Sequence, residues 1–204
     1  MSKRSFVERL RIVISRILIA GVFVLLLISE SHWDDVAPVF SLFLFAAGVG
    51  LAGIGALGRL WCSVYIAGFK TQKLITMGPY SMMRNPLYFF SLLGALGLGL
   101  ASETLTIPFL LLISFAIYYP FVIKSEERKL RDLHGADFDA YCAKVPRFWP
   151  TRGVIEEPET YVVNPKIYRG HIASALWFIW ILGILEMIST FHELGIFPVL
   201  FHLP

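Results

Sequence analysis

Charge is scarce in this chain: 16% of its 204 residues are Asp, Glu, Lys or Arg, against 56% that are hydrophobic. An ordinary soluble domain carries about a quarter charged residues, so the composition argues against a freely soluble globule. Cysteine is nearly absent. Cys62 and Cys142 are the two present, and they offer neither a Cys-x-x-Cys metal spacing nor a disulfide framework. The five histidines are scattered, and His192-Glu193 lacks a second histidine at helical spacing, which excludes the zinc-protease pattern. The net charge of +3 needs no nucleic-acid partner, because a local asymmetry uses the basic residues already. No internal repeat or low-complexity tract is evident.

Apolar residues are abundant, and they come in blocks: 12–29 (broken only by Arg16), 36–58, 86–102, 104–123 and 171–191. A helix rising about 1.5 Å per residue needs ~20 residues to cross a hydrocarbon core of ~30 Å. Four blocks meet that length and 86–102 is marginal, so the expectation is five membrane spans. Ile196–Leu203 is too short to cross and is expected at the interface or packed back. The first block follows Lys3, Arg4, Arg9 and Arg11 as a signal peptide would. Its run is long, however, and Glu30-Ser31-His32-Trp33-Asp34 follows it instead of small residues, so it reads as a retained span.

Arg and Lys gather before the first span, between the second and third (Arg59, Lys70, Lys73, Arg84), and from Lys124 to Arg169, while 30–37 and 102–104 hold none. Positive residues stay on the cytoplasmic side. The N-terminus, the 77–86 stretch and the 124–170 segment are therefore expected there. In the second span Gly48, Ala52 and Ala56 recur at every fourth position, and Ala95 and Gly99 repeat the spacing in the third. Such rows let another helix approach closely, within one subunit or across a homodimer. "KSEERKLRDLHG" reads as a short amphipathic helix with Leu130 and Leu133 on one side, stopped at Gly135. "ADFDAYCAKVPRFWP" reads as a second, ending before Pro146, with an aromatic side made by Phe138, Tyr141, Phe148 and Trp149. Residues 153–170 form a polar connector.

Two stretches carry chemistry. "MGPYSMMRNPLYFF" (77–90) interrupts the oily chain with two prolines, a glycine, an arginine, an asparagine and two tyrosines. Pro79 and Pro86 each remove a backbone donor, and Pro86 turns Asn85 away from helical geometry. Broken backbone near a membrane is tolerated where protein or a wet cavity supplies its partners. The segment therefore reads either as a pocket mouth presenting Arg84 and Asn85, or as a helix-entry turn with Arg84 reaching lipid head groups. The second stretch, Lys124-Ser125-Glu126-Glu127-Arg128, lies where the fourth span ends. Adjacent glutamates on a helix diverge by about 100°, so one can face a cavity and attract an ammonium or sulfonium group. The alternative is a solvated helix laced by pairs such as Glu127–Arg131.

The order of these elements resembles the isoprenylcysteine carboxyl methyltransferase and phospholipid methyltransferase superfamily. Gly78 and Tyr80 match that family's turn, and Arg84, Pro86 and Tyr88 match its Arg-His-Pro-x-Tyr element. Glu126, Glu127 and Leu130 match its acidic element, and Gly135, Phe138, Tyr141, Val145 and Pro146 its tail. Asn85 stands where the family has histidine, and His134 where it usually has phenylalanine. The resemblance implies an all-α, polytopic membrane bundle with a short helical cytoplasmic cap, and the chain lacks a glycine-rich strand-to-helix fingerprint, as that implies. Residues 1–204 would be a single integral membrane domain, with a methyltransferase-like core at 70–150 and a connector plus last span at 153–204.

The implied activity is S-adenosyl-L-methionine-dependent methyl transfer to a lipid-soluble acceptor: a prenylcysteine-like carboxylate, a lipid amine or a small thiol. The cofactor would enter from the cytoplasmic side and the acceptor from the bilayer, with no metal. The resemblance assigns cofactor contacts to Tyr80, Arg84, Asn85, Pro86, Tyr88, Glu126, Glu127, Tyr141 and Trp149. Arg84 would take the methionyl carboxylate, and Glu126 or Glu127 the ammonium or the ribose. Arg84, Asn85, Lys124 and Arg128 are candidates for the catalytic surround, the last pair for orienting an anionic acceptor. Two alternatives stand beside this: a membrane NADPH-dependent reductase of the sterol-reductase type, and a non-catalytic membrane scaffold, for which Asn85 is the best argument.

Overall fold

A computed structural model describes residues 17, 19–69, 73–151, 153 and 155–204. Lys3, Arg4, Arg9, Arg11, Arg16, Lys70 and Arg152, and the first residues of the first apolar block, lie outside that set. Among the described residues seven helices and two short strands follow one another: α1 (Ile19–Ile28), β1 (Ser29–Ser31), α2 (Trp33–Val36), α3 (Pro38–Ile66), α4 (Pro79–Met82), α5 (Pro86–Leu100), α6 (Thr106–Lys144), α7 (Pro165–Glu193) and β2 (Phe201–Leu203). Among the described residues α3, α6 and α7 are long and apolar enough to cross a membrane, and α1 and α5 are shorter apolar helices. The protein is an all-α integral membrane protein. Its five apolar blocks correspond to α1, α3, α5, α6 and α7.

Glycine sets the closest packing. A Cβ on Gly48 would lie 2.7 Å from the Gly97 carbonyl oxygen, one on Gly55 2.4 Å from Gly94 Cα, and one on Gly97 2.3 Å from Ala52 N. Antiparallel α3 and α5 therefore touch backbone to backbone within one subunit. The small residues at the contact are Gly48, Ala52 and Gly55 against Gly94, Gly97 and Ala101. The every-fourth-residue row is corrected on both helices: Gly55 takes the place expected for Ala56, Ala95 faces away from α3, and Gly99 packs on Pro108.

Two features pin the ends. At the far end β1 and β2 pair in parallel, Ser29 beside Phe201 and Ser31 beside Leu203. The Pro204 carbonyl accepts from the N–H groups of Leu105 (2.8 Å) and Thr106 (3.0 Å) at the start of α6. The last residues thus pack back, one of the two placements expected for a stretch too short to cross. At the other end, here called the site end, α6 runs roughly 43 Å before Gly135 breaks it with φ 51° and ψ −121°. The expected separation between the fourth span and the first cap helix is corrected: Lys124 to His134 simply continue α6 beyond the membrane-spanning length. Leu130 and Leu133 do not share a buried side, since Leu133 is exposed.

The connector is strapped across this end. Arg84 N donates to the Pro146 carbonyl (2.9 Å), Thr151 N to the Met82 carbonyl (3.1 Å) and Gly78 N to the Glu156 carbonyl (2.8 Å). Asn164 then caps α7, its side chain accepting from Lys166 N and Ile167 N, with Pro165 suited to the first helical position.

Candidate functional site

The turn at 78–86 is held by sequence-specific backbone chemistry. Gly78 has φ 59°, and a Cβ there would lie 2.3 Å from the Tyr65 ring. No side chain could therefore replace its hydrogen. Pro79 opens α4, Met83 is extended, and Pro86 opens α5 from a non-helical Asn85. The two prolines occupy positions where a missing N–H costs little. The turn thereby delivers Tyr80, Arg84, Asn85 and Tyr88 to one cavity of about 330 Å³, whose opposite wall is α6 with Glu126, Glu127, Leu130, Phe138 and Tyr141. Its size suits a small ligand.

The charges inside are unequal in their commitments. Glu127 is 6% exposed. Its Oε1 accepts from Asn85 Nδ2 (3.3 Å) and lies 3.3 Å from Arg84 Nε, and its Oε2 accepts from Arg147 Nε (3.0 Å) and Nη2 (2.5 Å). Both oxygens are therefore occupied. Asn85 also donates to the Arg147 carbonyl at 3.0 Å, so its amide ties the turn to the cap. Arg84 is less well served: its buried Nε lacks a well-directed acceptor, and among the described residues nothing takes a hydrogen bond from its other nitrogens. Glu126 lines the cavity and takes no hydrogen bond or ion pair from any described residue. The cavity thus holds a guanidinium with unused N–H groups and a carboxylate with unused lone pairs.

Tyr141 donates to the Tyr80 carbonyl at 2.6 Å, joining cap to turn. Burial pushes the phenols of both Tyr80 and Tyr141 upward from their ordinary value. Both phenols stay neutral near pH 7, and that of Tyr141 serves as a donor.

The structure thus brings Tyr80, Arg84, Asn85, Tyr88, Glu126, Glu127 and Tyr141 together around one cavity. Pro86 is fully buried beneath it as the first residue of α5. Trp149, expected among the cofactor contacts, is corrected: it is 71% exposed and packs on Phe89 and Phe148 outside the cavity lining. Lys124 and Arg128 are corrected as well, because the unbroken α6 turns both outward to exposed positions. Lys129 and Lys73 line the cavity instead. Arg131 pairs with Asp139 at 2.8 Å and not with Glu127. Arg147 was not anticipated; its place just after Pro146 was the only hint that it could fold back onto α6.

Comparison with known proteins supplies the context. A family model described as phospholipid methyltransferase matches residues 37–137, from α3 to just beyond the Gly135 kink. The chain is 37% identical to the cobalt-zinc-cadmium resistance protein CzcN of Cupriavidus metallidurans, over 94% of this chain and 88% of that one. It is 34% identical to the nickel-cobalt-cadmium resistance protein NccN of Alcaligenes xylosoxydans xylosoxydans, over 98% and 92%. No solved structure matches it.

Proposed function

Because the chain belongs to the phospholipid methyltransferase family, we propose that it transfers a methyl group from S-adenosyl-L-methionine to a lipid-soluble acceptor at the membrane surface. One observation carries this reading: the cavity sets an Arg84 guanidinium that Glu127 engages only at Nε, and a Glu126 carboxylate without a partner among the described residues, between apolar walls. An amino-acid end bearing both a carboxylate and an ammonium complements that pair. Arg84 would hold the carboxylate, in the charge-assisted geometry a guanidinium favours. Glu126 would take the ammonium or a ribose hydroxyl. The Tyr80 and Tyr88 rings, which line the same space, offer aromatic faces to a sulfonium. When bound, the cofactor supplies an activated methyl for in-line displacement.

The rest is positioning and exclusion of water. Glu127 acts as a positioning residue that orients Arg84 and Asn85 and receives Arg147 from the cap. Asn85 cannot carry a proton between partners as a histidine can, and its amide is spent on structure. An acceptor that attacks as an anion, such as a carboxylate, asks nothing of it. Basic residues crowd the site end, at 73–84 and 124–169, and are missing from 29–37, 101–106 and 194–204; that asymmetry supports a cytoplasmic site. Metal-ion resistance, named for both relatives, would enter here through the membrane molecules such an enzyme modifies. The family match favours methyl transfer over the reductase and scaffold alternatives.

The test is transfer of labelled methyl from S-adenosyl-L-methionine into the organic-solvent extract of membranes carrying the protein. Label above the empty-membrane level, lost in Glu126→Gln, is expected. Equal labelling by wild type and Glu126→Gln would overturn the assignment.

A further inference from the structure

A second arginine lies deeper in the bundle. Arg59 is seven residues before the end of α3, about 10 Å inward along the helix. Its Nη1 donates to Ser91 Oγ on α5, and its Nη2 to Ser174 Oγ on α7 at 3.3 Å. Ser91 is oriented to accept, because its own hydroxyl donates to the Leu87 carbonyl at 2.6 Å. The buried Nε has no acceptor, and the Phe178 ring is 6.0 Å away. Among the described residues no carboxylate pairs with this guanidinium. Two neutral hydroxyls satisfy hydrogen bonds but balance no charge, and arginine cannot escape by losing its proton. A guanidinium held between helices by hydroxyls alone, among the described residues, calls for an anion.

Ser91 also lines a separate cavity of about 460 Å³ between α1, α5, α6 and α7. Its walls are Val22, Leu26, Ala95, Leu111, Phe115, Ile184 and similar groups, apolar enough for hydrocarbon. The cavity and the proposed cofactor pocket are separated by a pair of touching rings. Tyr88 lines the pocket, Tyr119 lines the cavity, and their rings meet edge to face at 5.2 Å. Tyr88 and Ser91 are three residues apart on α5, neighbours on one helix face.

We propose that this cavity with Arg59 is the acceptor site. A bilayer amphiphile lays one hydrocarbon chain in the cavity, and its carboxylate or phosphate lies at the Ser91 wall, where Arg59 reaches it by exchanging the Ser91 hydroxyl for the anion, one helical turn from the Tyr88 wall of the cofactor pocket. Naming the ligand an acceptor rests on the methyltransferase reading; the binding itself does not. The unbalanced guanidinium selects an anionic amphiphile over a neutral one of the same chain, and Ala95 marks where the chain lies.

Retention of three oleoyl amphiphiles by the detergent-purified protein, read by native mass spectrometry, tests this. The probes are oleoyl lysophosphatidic acid, oleic acid and the neutral monoolein. Wild type is expected to retain at least one anionic probe about tenfold better than monoolein, as a charge-assisted contact implies; which anion leads identifies the head group. Arg59→Gln should bring that probe down to the monoolein level, while Arg59→Lys keeps most of the preference. Ala95→Phe should lower retention of all three. S-adenosylhomocysteine binding, measured in parallel by calorimetry, should be unchanged in every variant, which also certifies their folding. An undiminished preference in Arg59→Gln, or undiminished retention in Ala95→Phe, would overturn the proposal. Lipid discrimination without any S-adenosylhomocysteine binding would leave the lipid site standing and remove the methyltransferase reading.

Discussion

Replacing Glu127 by glutamine keeps the side-chain volume and removes the charge on which three neighbours converge. The cost follows from their exposure. The Arg84 side chain is 13% exposed and the Glu127 side chain 8%, whereas that of Arg147 is 54% exposed. Breaking a buried ion pair by removing one partner costs about 3–5 kcal/mol, because the other charge is left uncompensated. Solvent screens the Arg147 contact, which is worth no more than about 1 kcal/mol. Glu127→Gln should therefore destabilise by about 3 kcal/mol, and Arg147→Gln by about 1 or less, since the latter leaves Glu127 paired with Arg84 and Asn85. Parallel thermal or denaturant unfolding of the detergent-purified variants reads the difference. Glu127→Gln should also weaken donor binding, because Arg84 loses the group that orients it. Equal losses for the two variants, or a greater loss for Arg147→Gln, would refute the view that Glu127 is the buried anchor of the site.

Three further outcomes follow from the geometry. Gly97→Ala should disrupt assembly of α3 on α5, its Cβ falling 2.3 Å from Ala52 N, while Gly50→Ala, with nothing within 4 Å, should be tolerated; yield and monodispersity on size exclusion compare them. Gly135→Ala meets open space but must hold φ 51° with ψ −121°, so it should cost about 1–3 kcal/mol in backbone strain alone, seen as a lowered melting temperature. Burial and the neighbouring Asp34 raise the Glu103 carboxyl from 4.5 to about 7. The folded state then holds a proton that the unfolded state releases. Stability should fall as pH rises from about 4.5 to 7 and level off above, and Glu103→Gln should flatten that slope in unfolding midpoints measured across the range.

What could be read beforehand follows what is local. Gly78, Pro79, Pro86 and Gly135 each act through their own backbone, so the broken turn and the break in α6 were legible from residue type. The apolar blocks were legible because length against a fixed membrane thickness is a one-dimensional test. Lys124 and Arg128 were misplaced because facing depends on helix phase, and the continuity of α6 through 124–134 sets that phase from the membrane outward. Gly55 and Gly94 replaced the expected partners because two crossing helices share a groove that drifts from a strict four-residue row. The Arg147 contact with Glu127 and the pairing of β1 with β2 were the least legible. Each joins segments far apart in the chain through a few residues that carry no periodic signal.

Calorimetric titration of S-adenosylhomocysteine into the detergent-purified protein tests the central claim most directly, with Arg84→Gln and Glu126→Gln beside the wild type. The account predicts saturable one-site binding that both substitutions abolish or weaken by at least tenfold. No binding to folded wild type, or undiminished binding to both variants, would contradict it.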